Sequence, residues 1–205
     1  MTRKYQMKKR AEARDETRDR IVRATMTLHD EQGVATTSFA DIAQRAGGGP
    51  ATVLRHFPTL GSLVMACGQH VAEEMRPPTP DHAEQVFVGL STTATRLERL
   101  VDEIDAFYER GAFRLIAAGN DRDRVPELNQ FLRMVDAGLE ALIREATVDE
   151  ETDGTMVGVL MALCGAAVWQ RLSTTGLAAA ERRGILVDIL TCALSSNRLK
   201  KSPNR

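Results

Sequence analysis

Apolar residues recur along this chain at intervals of three and four, with little alternation of period two, so the pattern predicts helices nearly throughout. Ile21, Ala24, Thr25 and Leu28 make one inward stripe on a helix over 15–32, and Gly33 stands where a left-handed residue would end it. Phe39, Ile42 and Ala43 mark a second, short helix that opens at Thr37 or Ser38, where Ser38 and Asp41 have the spacing of a capping box. Gly47, Gly48 and Gly49 form a permissive turn, and Pro50 suits the first position of a third helix of about two turns. The Phe57-Pro58 step breaks that helix. A fourth, over 59–75, places Leu63, Val64, Cys67 and Val71 on its buried side until Pro77, Pro78 and Pro80 stop it.

Beyond Pro80 there is rhythm but no motif. A short helix or linker over 81–88 precedes a wide apolar face of Leu97, Leu100, Val101, Ile104, Phe107 and Tyr108, which Gly111 interrupts. A short helix over 113–119, a charged loop and a long stripe from Leu128 to Ile143 follow. The last two segments, 156–172 and 185–194, are apolar on nearly every side, with Gly158, Ala162 and Gly165 permitting close approach. A helix that is apolar all round must be covered all round. Either it is the core helix of a monomer or a partner subunit covers its second face, and the partner is the expectation.

Composition agrees with an all-α fold: of 205 residues 43% are hydrophobic, enough for a real core, while only 4% are aromatic. No run is expected to reach the roughly 18 apolar residues of a membrane span. Arg3, Lys4, Lys8, Lys9, Arg10 and Arg14 have no apolar stretch behind them, so a secretory signal is not expected and a cytoplasmic location is. Residues 1–14 read as a polar, disordered arm, a solvated tail or a segment that reaches phosphates. Cys67, Cys164 and Cys192 are far apart and have neither zinc spacing nor a disulfide framework, so they are expected to be reduced and buried. Neither a metal nor a cofactor is expected. No nucleophile–base grouping or phosphate loop is evident, which argues against an enzyme.

Charge divides the chain. Residues 1–60 carry 11 Lys and Arg against 7 Asp and Glu, while 61–205 carry 16 against 21. A polyanionic partner therefore fits the N-terminal end. That is also the end whose residues 37–57 have the form of a helix-turn-helix DNA reader. On it, Gly49, Pro50, Ala51, Thr52, Leu54, Arg55 and His56 are the DNA-facing candidates, with Val53 and Phe57 assigned to the core. Arg55 has the fork for guanine O6 and N7 or for a phosphate, Thr52 suits a phosphate or a thymine methyl, and His56 and Thr59 suit phosphates. Backbone amides near Thr37 and Ser38 are further phosphate candidates.

Arg18, Ile21, Ala24, Leu28, Gly33, Thr37-Ser38, Asp41-Ile42-Ala43, Ala46-Gly47, Thr52, Phe57-Pro58 and Leu63 together resemble the DNA-binding domain of the TetR family of bacterial transcription regulators. The resemblance divides the chain into a DNA-binding domain over 15–60, a connecting helix over 61–76 and an effector-binding and dimerisation domain over 77–205. It implies a homodimer on a palindromic operator in double-stranded DNA, most simply a repressor. The final two helices would pair with their counterparts in that dimer, with Leu163, Trp169, Leu186, Ile189 and Leu190 central. It also implies a small apolar or aromatic effector in a cavity lined by Ile104, Phe107, Tyr108, Phe113, Phe131, Met134, Val135 and Met161. The departures lie on the DNA side: Gly48-Gly49-Pro50-Ala51 replaces the family's Val-Ser-Lys-Gly, and Leu60 replaces a Lys. They leave room for an alternative, a TetR-like interaction module that has lost sequence-specific DNA binding.

Overall fold

The computed structural model describes residues 3–201, and within them every regular element is helical. Two compact units form, one from residues up to 73 together with 117–131, the other from 74–116 together with 132 onward. The expected division at Pro77 thus meets a correction, because 117–131 folds with the N-terminal unit. The helices are α1 (Arg3–Gln32), α2 (Phe39–Arg45), α3 (Pro50–His56), α4 (Leu60–Met75), α5 (Ala83–Val86), α6 (Thr93–Glu109), α7 (Ala112–Asp121), α8 (Pro126–Ala146), α9 (Gly154–Leu163), α10 (Ala166–Ser173) and α11 (Ala179–Lys201).

Residues 5–14 are helical, not the disordered arm the polarity suggested. Ala, Lys, Arg, Glu and Met are strong helix formers, and an exposed helix needs no apolar stripe if it continues a buried one. Lys8 and Glu12, at 3.9 Å and one turn apart, add modest support.

The first unit closes around Ile21, Leu28, Ile42, Val53, Phe57 and Leu63. These are the positions that the helical period marked, so local pattern and tertiary burial agree here. The corner between α1 and α2 is held from elsewhere in the chain. Asp121, the last residue of α7, accepts the amides of Val34 at 2.8 Å and Ala35 at 3.0 Å on Oδ2. Nearby, the Nε2 atom of His29 is buried without a partner among the described residues. Burial pushes the His29 pKa down to about 4, and the Asp121 charge only partly opposes it. The folded value lies below the ordinary 6.5, so the unfolded chain binds the extra proton first. Stability on the order of 3 kcal/mol, present above pH 6.5, is therefore expected to be lost as pH falls toward about 4. Urea titrations of His29→Phe across that window should show a flatter dependence than the native chain; equal slopes would remove His29 as the cause.

In the second unit α6 supplies the buried face foreseen from sequence, with Leu97, Leu100, Val101, Ile104, Phe107 and Tyr108 all inward. Asp105 is inward too, 5% exposed. Its Oδ1 accepts the Trp169 indole N–H at 2.7 Å and its Oδ2 accepts Arg183 at 3.0 Å, which ties α6 to α10 and α11. The segment 154–173 is apolar enough to be a candidate membrane span by composition, contrary to the expectation that no such run occurs. It is broken at Cys164-Gly165 into α9 and α10, of 10 and 8 residues. At about 1.5 Å per residue neither helix alone reaches across a hydrocarbon core of ~30 Å. Cys67 and Cys164 are buried, and burial raises both thiols to about 12, whereas Cys192 is exposed, unlike the expectation for all three. It lies on the outer face of α11 with Ile185 and Ile189.

Candidate nucleic-acid interface

The reader is built from short elements that hold one another by their ends. Ser38 caps α2 and Asp41 returns the bond, its Oδ2 accepting the Ser38 amide at 3.1 Å while Ser38 Oγ accepts the Asp41 amide at 3.2 Å. At the other end Ala46 is the C-cap, Gly47 has φ +66, and the Gly47 and Gly48 amides return to the Gln44 and Ala43 carbonyls at 3.2 and 2.9 Å. That pairing is a Schellman closure, and Gly47 is the left-handed residue it needs. α3 starts with Gly49 as N-cap and Pro50 at N1, without a side-chain cap. Thr59 Oγ1 accepts the Ser62 amide at 3.0 Å and so starts α4.

These ends leave one edge of α3 to solvent. Val53 and Phe57 are buried at 1%, as assigned from sequence, while Gly49, Pro50, Ala51, Leu54 and Arg55 are exposed and Thr52 and His56 half-buried. Thr59 is exposed, and its hydroxyl accepts in the cap but retains its proton for a phosphate oxygen. Thr37 and Ser38 are the corrections. Thr37 is buried, its hydroxyl donates to the Gly33 carbonyl at 2.8 Å, and its amide goes to Val34 at 3.3 Å. The Ser38 amide and hydroxyl are both taken up by Asp41. Neither amide is left over for a phosphate, because the corner and the cap consume them.

Two arginines of α1 complete the edge, and the predicted arm obscured one of them. Arg18 lies over the Phe57 ring, 4.3 Å from its centroid, and reaches the His56 carbonyl at 3.5 Å. That contact fixes which side of α1 faces the end of α3. Arg14 is one turn back on the same side and exposed. Burial, then Arg55, Arg14 and Arg18 in that order, hold His56 below its ordinary imidazole value. The His56 end of α3 is accordingly a cationic field suited to a phosphate. A helical period laid over residues 10–18 was the available signal for Arg14. Arg45 pairs with Glu31 at 2.6 and 3.0 Å on an exposed surface, so its charge is already answered.

The residues expected around an effector have different surroundings. A cavity of about 360 Å³ in the second unit is lined by Ile104 and Phe107 from that set. Tyr108 and Val135 are core residues, Met161 is half-buried, and Tyr108 donates to the Cys164 carbonyl at 3.0 Å. Phe131 belongs to the first unit, where its ring packs on Gly68 of α4. Phe113 and Met134 are exposed, which removes them from any buried lining; the apolar stripes on their helices pass beside them. The dimer candidates divide by helical phase. Leu186 and Leu190 are buried inside their own unit at 4% and 0%, so they are not available to a partner. Ile189 is 39% exposed, and Leu163 and Trp169 are half-buried. Val159 at 42% and Ile185 at 37% are exposed beside the small residues Gly158, Ala162 and Gly184.

Residues 21–67 match the model of the bacterial regulatory proteins of the tetR family. No curated protein matches the chain. Among solved structures, a transcriptional regulator from Rhodococcus sp. Rha1 is similar with a TM-score of 0.61 and 17% identity, over 88% of this chain and 96% of the other. GusR of Salmonella enterica is similar with a TM-score of 0.56 and 21% identity, over 88% and 96%. The multidrug binding protein EbrR, complexed with imidazole, gives 0.58 and 20%, over 87% and 90%. At these identities the likeness is one of fold.

Proposed function

We propose that this chain, whose residues 21–67 are an N-terminal domain of the tetR family, is a ligand-responsive transcription regulator that binds a palindromic operator as a homodimer. The observation that carries the reading is the exposed edge of α3, with Arg55 and His56 beside Arg14 and Thr59, on an end-capped helix-turn-helix. It acts as a repressor in the cytoplasm and carries out no enzymatic chemistry. Ile185 and Ile189 on α11 and Val159 on α9 form the apolar face that a second copy covers, in place of Leu186 and Leu190. Twofold symmetry then sets the two readers about one helical turn of DNA apart, or slightly more. An effector releases the operator only if it binds the DNA-incompetent state better. The ligand held by EbrR supports a ligand-binding reading for the second unit.

Selection from random duplexes followed by gel shift at several salt concentrations tests the proposal. A preferred palindrome with a steep salt slope supports it; binding without sequence preference would favour the interaction-module alternative. Arg55→Ala is expected to weaken operator binding by about 1–3 kcal/mol and to relax preference at one position of each half-site. Unchanged affinity and preference would remove Arg55 as a base reader. Arg14→Ala is expected to behave differently, weakening all sequences alike and lowering the salt slope by about 1 per reader. A loss confined to the palindrome would contradict the phosphate role.

A further inference from the structure

The cavity of about 360 Å³ in the second unit combines an apolar floor with a cationic rim, and we infer that it binds an amphipathic anion, an apolar body carrying one carboxylate. The inference rests on the ligand-responsive reading above and gives its effector a chemical class. Ile104, Phe107 and Leu142 close the floor, each showing only a small part of its side chain, and the partly exposed Pro77, Pro78 and Val86 add the apolar surface over which the body of the ligand would replace water. At this volume the space is at the small end of the range for ligand pockets.

Arg76 and Arg110 stand at the rim. Arg110 donates from Nε to the Met75 carbonyl at 2.6 Å and from Nη2 to the Arg76 carbonyl at 3.4 Å, so it pins the turn that leaves α4. Arg76 has φ +48, the one left-handed residue other than glycine among the described residues. A side chain in that conformation costs on the order of 1 kcal/mol or more and persists only where its surroundings hold it. Here the Arg110 bonds on either side hold it, and Gly138 of α8 lets the Pro78 carbonyl come in closer than any Cβ would permit. The strained turn brings Arg76 and its proline neighbours into the lining of the cavity. The rim's acid is already answered, since Glu103 pairs with Arg99 at 2.5 Å. His82 is joined through Nδ1 to the Thr79 hydroxyl at 2.8 Å. A carboxylate takes the planar fork of Arg76 and leaves its apolar body on the floor. Neither a cation nor a purely apolar molecule of the same size uses the rim.

Calorimetry on the full chain with octanoate, octanol and octylamine tests this. Octanoate should bind saturably and about tenfold or more tightly than octanol, with octylamine weakest. Arg76→Gln should weaken octanoate about tenfold and leave octanol unchanged. Arg76→Gly, which also relieves the left-handed strain and so keeps the fold, should show the same loss. Equal binding of octanoate and octanol, a preference for octylamine, no octanoate binding, or octanoate indifferent to both variants would overturn the inference. A gel shift with octanoate separates it from the reading beneath it. Octanoate that binds through Arg76 and leaves operator affinity untouched supports the anion site and overturns its role as an effector site. Release of the operator by another class of compound, with no octanoate binding, does the reverse.

Discussion

Phe57→Ala is expected to destabilise the N-terminal unit by about 3–5 kcal/mol and to abolish operator binding at the same time. The ring is 1% exposed in the core that α1, α2 and α3 share, so its loss removes burial and leaves a cavity among Ile21, Ile42 and Val53. Its second duty is to seat Arg18, which lies over the ring at 4.3 Å and reaches the His56 carbonyl. Without the ring, α1 loses its register against the end of α3, and Arg14 and His56 no longer present one surface. Urea unfolding gives the first effect and gel shift below the transition gives the second. A loss of under about 1 kcal/mol would show that the site collapses around the gap.

Asp105→Ala carries the other large effect, about 3 kcal/mol, within the second unit. Breaking a buried charge pair costs roughly 3–5 kcal/mol, because the remaining partner stays desolvated. The low end applies here, since the Arg183 side chain is 37% exposed and keeps Asp102 at 3.1 Å. Asp105→Asn retains an acceptor for the indole and should cost about 1 kcal/mol. The chain has a single tryptophan, so Trp169 fluorescence follows the loss directly. A red-shifted emission in Asp105→Ala with an unshifted one in Asp105→Asn is expected. Identical spectra in both would mean that the indole bond does not fix the ring.

The frame of the reader was legible because it is written locally. Ser38 and Asp41, Gly47, Pro50 and Phe57-Pro58 act within four or five residues of themselves, and each does what its chemistry dictates. The same locality misled at Thr37 and Ser38, whose amides looked available until the corner and cap that use them were in place. Asp105 carried a faint signal, an acid at the fourth position of a Val101, Ile104, Tyr108 stripe, where burial demands a partner. Asp121 carried none: it falls in a charged run that reads as a surface loop, and its partners are 86 and 87 residues away. Leu186 and Ile189 were alike in composition and are separated only by helical phase against neighbours that sequence does not place. The cavity was missed for a related reason. Its rim arises from a left-handed arginine, and that conformation has no sequence signature outside glycine and, less often, Asn or Asp.

The turn of the reader has a consequence for how this protein can change over generations. Gly47 alone is committed by its backbone, whereas a Cβ at Gly48 or Gly49 would meet nothing within 4 Å. Two adjacent places at the exposed edge before α3 are therefore unoccupied and sterically tolerant, and under the proposed function a side chain gained there is judged by the operator before it is judged by the fold. On the proposed function, operator preference drifts by single substitutions there while the frame that holds α3 is inherited intact.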